Sequence, residues 1–157
     1  MSHYDPNNFH TSQSLGYLLK VNHSLMHDCA DQLFTQSDIS FVQWIALRKL
    51  SEGTALTASE LCREMRHDNG ALTRMLDQLE ERGFIERKRS QQDRRVVDLQ
   101  ITPAGLAKVN ELTPPLVNNL NNALGNFSSE EFSELIRLLL KLKSELQTFS
   151  AQSSEKP

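Results

Sequence analysis

Residues 57–102 read TASELCREMRHDNGALTRMLDQLEERGFIERKRSQQDRRVVDLQIT, and this stretch decides the fold. Thr57 and Glu60 stand three apart, the spacing of a capping box, in which two side chains satisfy orphan N–H groups at a helix start. Leu61, Cys62 and Met65 supply the apolar face of the short helix that follows. His67-Asp68-Asn69 breaks it, and Asp68 is suited to cap the next helix because its carboxylate accepts from early backbone N–H groups. Leu72, Met75, Leu76 and Leu79 then recur at helical spacing. Gly83 closes this second helix, since glycine takes the left-handed conformation without a Cβ penalty.

Ile85 and Arg87 alternate with Glu86 and Lys88, the pattern of a half-buried strand. Ser90-Gln91-Gln92-Asp93 is a polar turn, and Val97, Leu99 and Ile101 bring the chain back as a second strand. Thr102-Pro103 opens a further helix, with proline at its first position. Helix, turn, helix and hairpin make a winged helix-turn-helix, in which the second helix enters the major groove of DNA and the hairpin is the wing. The expected class is therefore mainly α with a small β-hairpin wing.

The run Asp93-Arg94-Arg95-Val96-Val97-Asp98-Leu99-Gln100-Ile101-Thr102 resembles the D-x-R wing signature leading into L-x-L-T that marks MarR-family regulators. Gly70-Ala71-Leu72-Thr73-Arg74-Met75-Leu76-Asp77 resembles the family's recognition helix. In the order and size of helices the likeness spans roughly residues 12 to 149, with the specific motifs confined to the DNA-binding stretch. The resemblance implies a homodimer joined by helices from both ends of the chain. It implies Arg95 as the wing residue that reaches the minor groove, with Asp93 orienting it by a salt bridge. It also implies a short third strand at Ala55-Leu56, and release from DNA by a small phenolic or other aromatic anion.

On the recognition helix, Asn69, Gly70, Thr73 and Arg74 lie off the apolar face, as does Asp77. Arg74 can give a bidentate contact to guanine O6 and N7. Thr73 and Asn69 can reach bases or phosphate. Gly70 either permits close backbone approach or is a neutral helix-start residue. Arg94 suits phosphate, and strand alternation lets only part of the set Arg87, Lys88 and Arg89 face DNA, with Arg87 and Arg89 sharing one side.

The chain has 157 residues, the size of one domain, and a net charge of −3. Distribution matters more than sum. Between Arg82 and Arg95 six basic residues stand against two acidic ones, so that segment carries +4 and the remainder −7. A positive surface on an acidic body binds phosphate without adhering everywhere. The first ten residues, MSHYDPNNFH, have no apolar core of a signal peptide, and no apolar run approaches a membrane span. Two cysteines, Cys29 and Cys62, are too few for a disulfide framework. A cytoplasmic location with no membrane association is expected.

Residues 1–11 show no periodicity and read as a mobile arm or an extended contact. Leu15, Leu18, Leu19, Leu25, Met26, Cys29 and Leu33 mark one stripe of a long first helix. Ser40 and Gln43 form a second capping box, opening a helix apolar almost all round, and Gly53 ends it. Trp44 in that helix reads first as core and second as one wall of an effector pocket, where His23 and His27 also fall. Beyond the wing, Leu106, Val109, Leu112, Leu116, Leu120 and Leu124 continue a stripe that Pro114-Pro115 should kink or restart, with Thr113 capping the second segment. Ser128 and Glu131 form another capping box. The last helix carries Phe132, Leu135, Ile136, Leu138, Leu139, Leu142, Leu146 and Phe149, more apolar surface than one outer helix can bury alone. A second copy would cover it, through Leu15, Leu18, Leu138, Leu142 and Leu146. The expected layout is one MarR-like domain over 1–157: dimerisation helices at 1–35 and 103–150, a DNA-binding lobe at 40–102 and a flexible tail at 151–157.

The leading reading is a dimeric regulator, a repressor on a palindromic double-stranded DNA operator, with no cofactor and no bound metal. The alternatives are a metal- or redox-responsive regulator of the same fold and a winged-helix module that binds protein. His23 and His27 share a helix face at ligand spacing but lack a clear third ligand. Cys29 sits beside Asp28 and Asp31, which disfavour a thiolate. An enzyme is not expected: Cys62 packs with Leu61 and Met65, and no glycine turn suited to an oxyanion surrounds it.

Overall fold

Each α-helix of the computed structural model begins at a side chain that accepts a backbone N–H, so the caps define the element order. The elements are α1 (Leu15–Phe34), α2 (Phe41–Ser51), α3 (Ala58–Met65), α4 (Asn69–Glu81), β1 (Ile85–Arg89), β2 (Val97–Ile101), α5 (Pro103–Ala123) and α6 (Ser129–Ser154). Residues 2–54, 56–90 and 96–154 are described. Ser14, Ser40, Thr57 and Asp68 cap α1 to α4, with complete capping boxes at Ser40/Gln43 and Thr57/Glu60. Thr102 Oγ1 accepts from the Gly105 N–H at the start of α5, and Ser128 Oγ accepts from the Glu131 N–H before α6. The chain divides into two units, one ending at Leu120 and one beginning at Asn121.

The first unit holds the core. Leu72, Met75, Leu76 and Leu79 of α4 are buried and pack in one cluster with Leu61 of α3, Ala46, Leu47 and Leu50 of α2, and Val109, Leu112 and Leu116 of α5. The antiparallel hairpin pairs Ile85 with Ile101 and Arg87 with Leu99, which places Ile85, Leu99 and Ile101 on the core side. Gly83 closes α4 with φ +72, as its position required. Among the described residues the third strand shows as one bridge, between Thr57 and Asp98, with the Leu99 N–H donating to the Leu56 carbonyl at 2.6 Å. Thr57 then caps α3, and Ala55 lies outside the described residues.

Two further features depart from the sequence reading. Pro114 and Pro115 lie inside α5, which continues through them without a break. The two missing N–H groups free the carbonyls of Asn110 and Glu111, both on exposed residues where water can take them. Thr113 caps nothing; its hydroxyl donates back to the Val109 carbonyl at 2.6 Å. The amino-terminal arm is folded rather than featureless. It makes short 3-10 turns at Pro6–Asn8 and Thr11–Gln13, Tyr4 meets Phe9 edge-on, and the Tyr4 hydroxyl accepts from the Leu15 N–H at 2.8 Å.

Close approach also decides a position the pattern did not single out. A Cβ on Gly105 would stand 2.1 Å from the Phe84 carbonyl oxygen, so only glycine lets the first turn of α5 seat against the root of the hairpin. Thr102 reinforces the joint by donating its hydroxyl to the Gly83 carbonyl at 2.6 Å.

In the second unit, α6 carries no buried residue among those whose burial is described. Phe132, Leu135, Ile136, Leu138, Leu139, Leu146 and Phe149 are all exposed, and Leu142 is half-buried. Among the described residues no helix is long and apolar enough to cross a membrane.

Candidate nucleic-acid interface

Helix α4 has a buried face and an open one. Its open face begins at the Asp68 cap, whose carboxylate accepts from the Ala71 N–H at 2.9 Å. That hydrogen bond, with a second from Gly70 and the nearby charges of Arg74 and His67, holds the Asp68 carboxyl below its usual range despite slight desolvation. Asn69, Gly70, Thr73 and Arg74 follow on this face, all exposed. Thr73 donates its hydroxyl to the Asn69 carbonyl at 2.8 Å, leaving its oxygen free to accept. At Gly70 a Cβ would sit 3.3 Å from Asp68 Oδ1, so a side chain there would crowd the cap. Arg74 has no ion-pair partner among the described residues.

The hairpin cations separate into two kinds. Arg87 is turned onto α4: it pairs with Asp77 at 2.7 Å and with Glu80, and its N–H donates to Glu80 Oε1 at 3.3 Å. Partial burial pulls its pKa down, but the two carboxylates outweigh that and raise it. The Asp77 side of the recognition face is therefore occupied from within. Lys88, on the opposite face of the strand, reaches Glu86 and the Gln100 side-chain oxygen. Arg89 is exposed and has no ion pair among the described residues. Asp93, Arg94 and Arg95 lie outside the described residues.

One cation at this surface escaped the sequence reading. Arg66 ends α3 in the left-handed conformation, φ 51 and ψ 41, with its N–H donating to the Cys62 carbonyl. It is the one non-glycine residue with positive φ among the described residues. Periodicity places the helix end but not the sign of φ, so nothing local announced it. Cys62 is engaged in the same turn, its thiol donating to the His67 carbonyl at 2.9 Å.

An aromatic cluster lies where α1 meets α2. Phe41 and Trp44 stack with ring centres 6.1 Å apart, Phe34 packs against both, and His27 meets Phe41 edge-on at 5.7 Å. His27 Nδ1 is 2.8 Å from Asp31 Oδ2, and the His23 ring lies 6.2 Å from that of His27. The Trp44 indole N–H is buried and has no hydrogen-bond partner among the described residues. No group of three or more His, Cys, Asp or Glu able to hold a metal occurs among them either. Beside Trp44, Gln43 is buried and bridges two elements. Its Oε1 accepts from the Ser40 N–H at 2.9 Å, and its Nε2 donates to Gln78 of α4 at 3.0 Å. Sequence marked Gln43 as half of a capping box; its second bond depends on how α2 and α4 cross.

Of the residues assigned to a dimer face, Leu15 and Leu18 are exposed on α1, Leu138 and Leu146 are exposed on α6, and Leu142 is half-buried.

Comparison with known proteins bears on this arrangement. A family model described as MarR family matches residues 39–97. The chain is similar to the HTH-type transcriptional regulator PecS of Dickeya dadantii, 32% identical over 136 residues that cover 84% of this chain and 81% of that protein. It is also similar to the transcriptional repressor MprA of Escherichia coli, 36% identical over 95 residues, 60% of this chain and 54% of that one. Among solved structures, a mutant of MarR from E. coli complexed with operator DNA superposes with a TM-score of 0.72 at 28% identity, covering 82% of this chain and 92% of that chain.

Proposed function

The chain belongs to the MarR family of DNA-binding transcriptional regulators, and from that premise we propose that it is a dimeric repressor released from a palindromic operator by a small aromatic anion. The open face of α4 carries the reading: a capped helix start followed by exposed Asn69, Gly70, Thr73 and Arg74, the last with no ion pair among the described residues. In a helix-turn-helix the start of the recognition helix meets base edges, so Arg74 reads a guanine while Asn69 and Thr73 reach bases or phosphate. Two such helices in one dimer enter successive major grooves about 34–36 Å apart. Exposed apolar faces on α1 and α6 supply the dimer contact, through Leu15, Leu18, Leu138, Leu142 and Leu146. A repressor among the relatives agrees with the direction of control.

The wing completes the grip. Arg95, oriented by Asp93, enters the minor groove, and Arg89 and Arg94 meet phosphate. Arg87 has a different task. Held by Asp77 and Glu80, it ties the hairpin to α4 so that wing and recognition helix approach DNA as one body.

The effector site is the aromatic cluster of Phe34, Phe41, Trp44 and His27, with His23 at its edge. A buried indole N–H without an acceptor is costly, and an oxygen of an aromatic carboxylate would satisfy it while its ring stacks in the cluster. Gln43 links that site to DNA reading through its bond to Gln78. A ligand that displaces α2 acts on α4 through this amide, provided it prefers the displaced geometry to the DNA-bound one. Operator titration alongside Trp44 fluorescence, with salicylate-like acids, zinc and peroxide in separate arms, tests the reading. The expected result is quenching and weaker DNA binding at the same concentration of acid. Release by zinc or peroxide alone replaces the ligand with a metal or redox signal, and no effect on DNA from any arm removes the regulatory site.

A further inference from the structure

The turn between α3 and α4 contains a conformational cost that the fold does not need. Left-handed backbone suits glycine and sometimes asparagine, whereas a residue with a long side chain is strained there. Arg66 holds it with φ 51. The turn is over-determined by its neighbours. Cys62 accepts from both Arg66 and His67 through its carbonyl, and its thiol donates to the His67 carbonyl. Glycine at position 66 would make the same turn more cheaply. The reason for an arginine must then lie in its side chain.

That side chain is exposed, as are those of Arg63, Arg74 and Arg89, which share its lack of an ion pair among the described residues. Arg48, Lys49, Arg87, Lys88, Lys108 and Arg137 each sit against a carboxylate. Arg66 has no ion pair among the described residues. The acids nearest in sequence are already engaged: Glu64 with Lys49, and Asp68 with the start of α4. Asp68 is the cap of α4, so Arg66 precedes by two residues the end of the helix that meets base edges.

We propose that Arg66 is a phosphate anchor at the lip of the major groove, fixed by the strained turn so that its guanidinium grips the DNA backbone as α4 enters. The assignment rests on the DNA-binding reading and adds to it a contact outside both the recognition helix and the wing. A guanidinium fork matches two phosphate oxygens and carries no sequence information. Arg66 therefore sets register and affinity while Arg74 sets preference.

Arg66→Gly tests this, because strain and contact predict opposite signs. The variant should melt at least as high as wild type, since the positive φ no longer opposes a Cβ. It should bind about tenfold more weakly, by a similar factor on a duplex recovered by the wild-type protein from a random library and on an unrelated duplex. Its slope of log affinity against log salt should be shallower by about 0.9 per subunit, the value of one lost phosphate contact. Arg66→Lys should restore the slope but only part of the affinity, because a point charge lacks the fork. Wild-type affinity and slope in Arg66→Gly would overturn the anchor, as would a loss confined to the recovered duplex, which would make Arg66 a base reader. A lower melting temperature would overturn the claim that the arginine is kept at a conformational cost. If the wild-type protein itself recovers no duplex, the DNA-binding reading fails, an outcome distinct from failure of the anchor.

Discussion

Helices α4 and α6 are written in the same language and end in opposite conditions. Each starts at a capping side chain and carries large apolar residues at helical spacing. In α4 the stripe of Leu72, Met75, Leu76 and Leu79 is buried. In α6 no described residue is buried, and Leu140, Leu146 and Phe149 stand more than half exposed. An apolar stripe states that a face wants cover; it does not state whose. Burying one such side chain is worth about 1.5–3 kcal/mol, so a helix with this many uncovered has a driving force toward association. Helix α4 finds its cover within its own unit, and the polar face left over is free to read DNA.

The largest expected effect breaks the comparison at α6. Leu138→Glu with Leu142→Glu puts two charges on one stripe, four residues apart. Sedimentation should show monomer, and operator affinity should fall by about a hundredfold or more, because each half-site loses the effective concentration supplied by its neighbour. A dimer of unchanged stability would mean that these leucines face something else. Next comes the filled side of the comparison. Gly105→Ala pushes a Cβ to within 2.1 Å of the Phe84 carbonyl oxygen, where neither partner is a flexible side chain. Denaturant unfolding should show a loss of about 3 kcal/mol, the upper end of ordinary overpacking. An equal melting profile would show that α5 can lift away from the hairpin freely.

A smaller effect separates the two faces of α4. Arg74→Ala should leave unfolding unchanged, since the side chain is exposed and has no ion pair among the described residues, yet cost about 1–3 kcal/mol per half-site and relax preference at one base position. Selection from a random duplex library reads the second part; preference retained at every position would move base reading to Asn69 or Thr73. The smallest effect concerns the α4 cap. The Asp68 carboxyl lies below its usual range in the folded chain, chiefly through the Ala71 N–H. Its contribution to stability is therefore complete above the unfolded value, about 3.9, and is lost as pH falls through the lowered folded value. Asp68→Asn keeps an acceptor but no charge. Thermal melts should show it below wild type at neutral pH and level with it once Asp68 is protonated; a gap independent of pH would reassign the effect to geometry.

What the sequence made legible was local. Caps at Ser40, Thr57 and Asp68, the α4 stripe, the glycine stops at Gly53 and Gly83 and the alternation of the hairpin depend on residues a few positions apart. Those features suffice for a winged helix-turn-helix and for the open face that carries Arg74. The features that escaped need two elements at once. Arg87 looked like one more basic wing residue because its partners Asp77 and Glu80 belong to another element, and only the fold of the hairpin back onto α4 joins them. Gln43 showed its cap and not its bond to Gln78. Gly105 showed no turn for a glycine to make, because what it accommodates is a distant carbonyl. The proline pair did not restart the helix: the carbonyls it frees are on exposed residues, where water can take them.

Gly105 also gives α5 a mechanical character. With its first turn seated against Phe84 and held by Thr102, this end of the helix has no room to slide. A rigid rod fixed at one end can only tilt, so the seat is a fulcrum and the rest of α5 a lever. From Gly105 to Leu120 the arm is about 22 Å long at the rise of an α-helix. A tilt of about 5° at the hairpin root carries the far end through about 2 Å on that arm. A shift too small to disturb packing beside the wing thus becomes one of atomic size at Leu120.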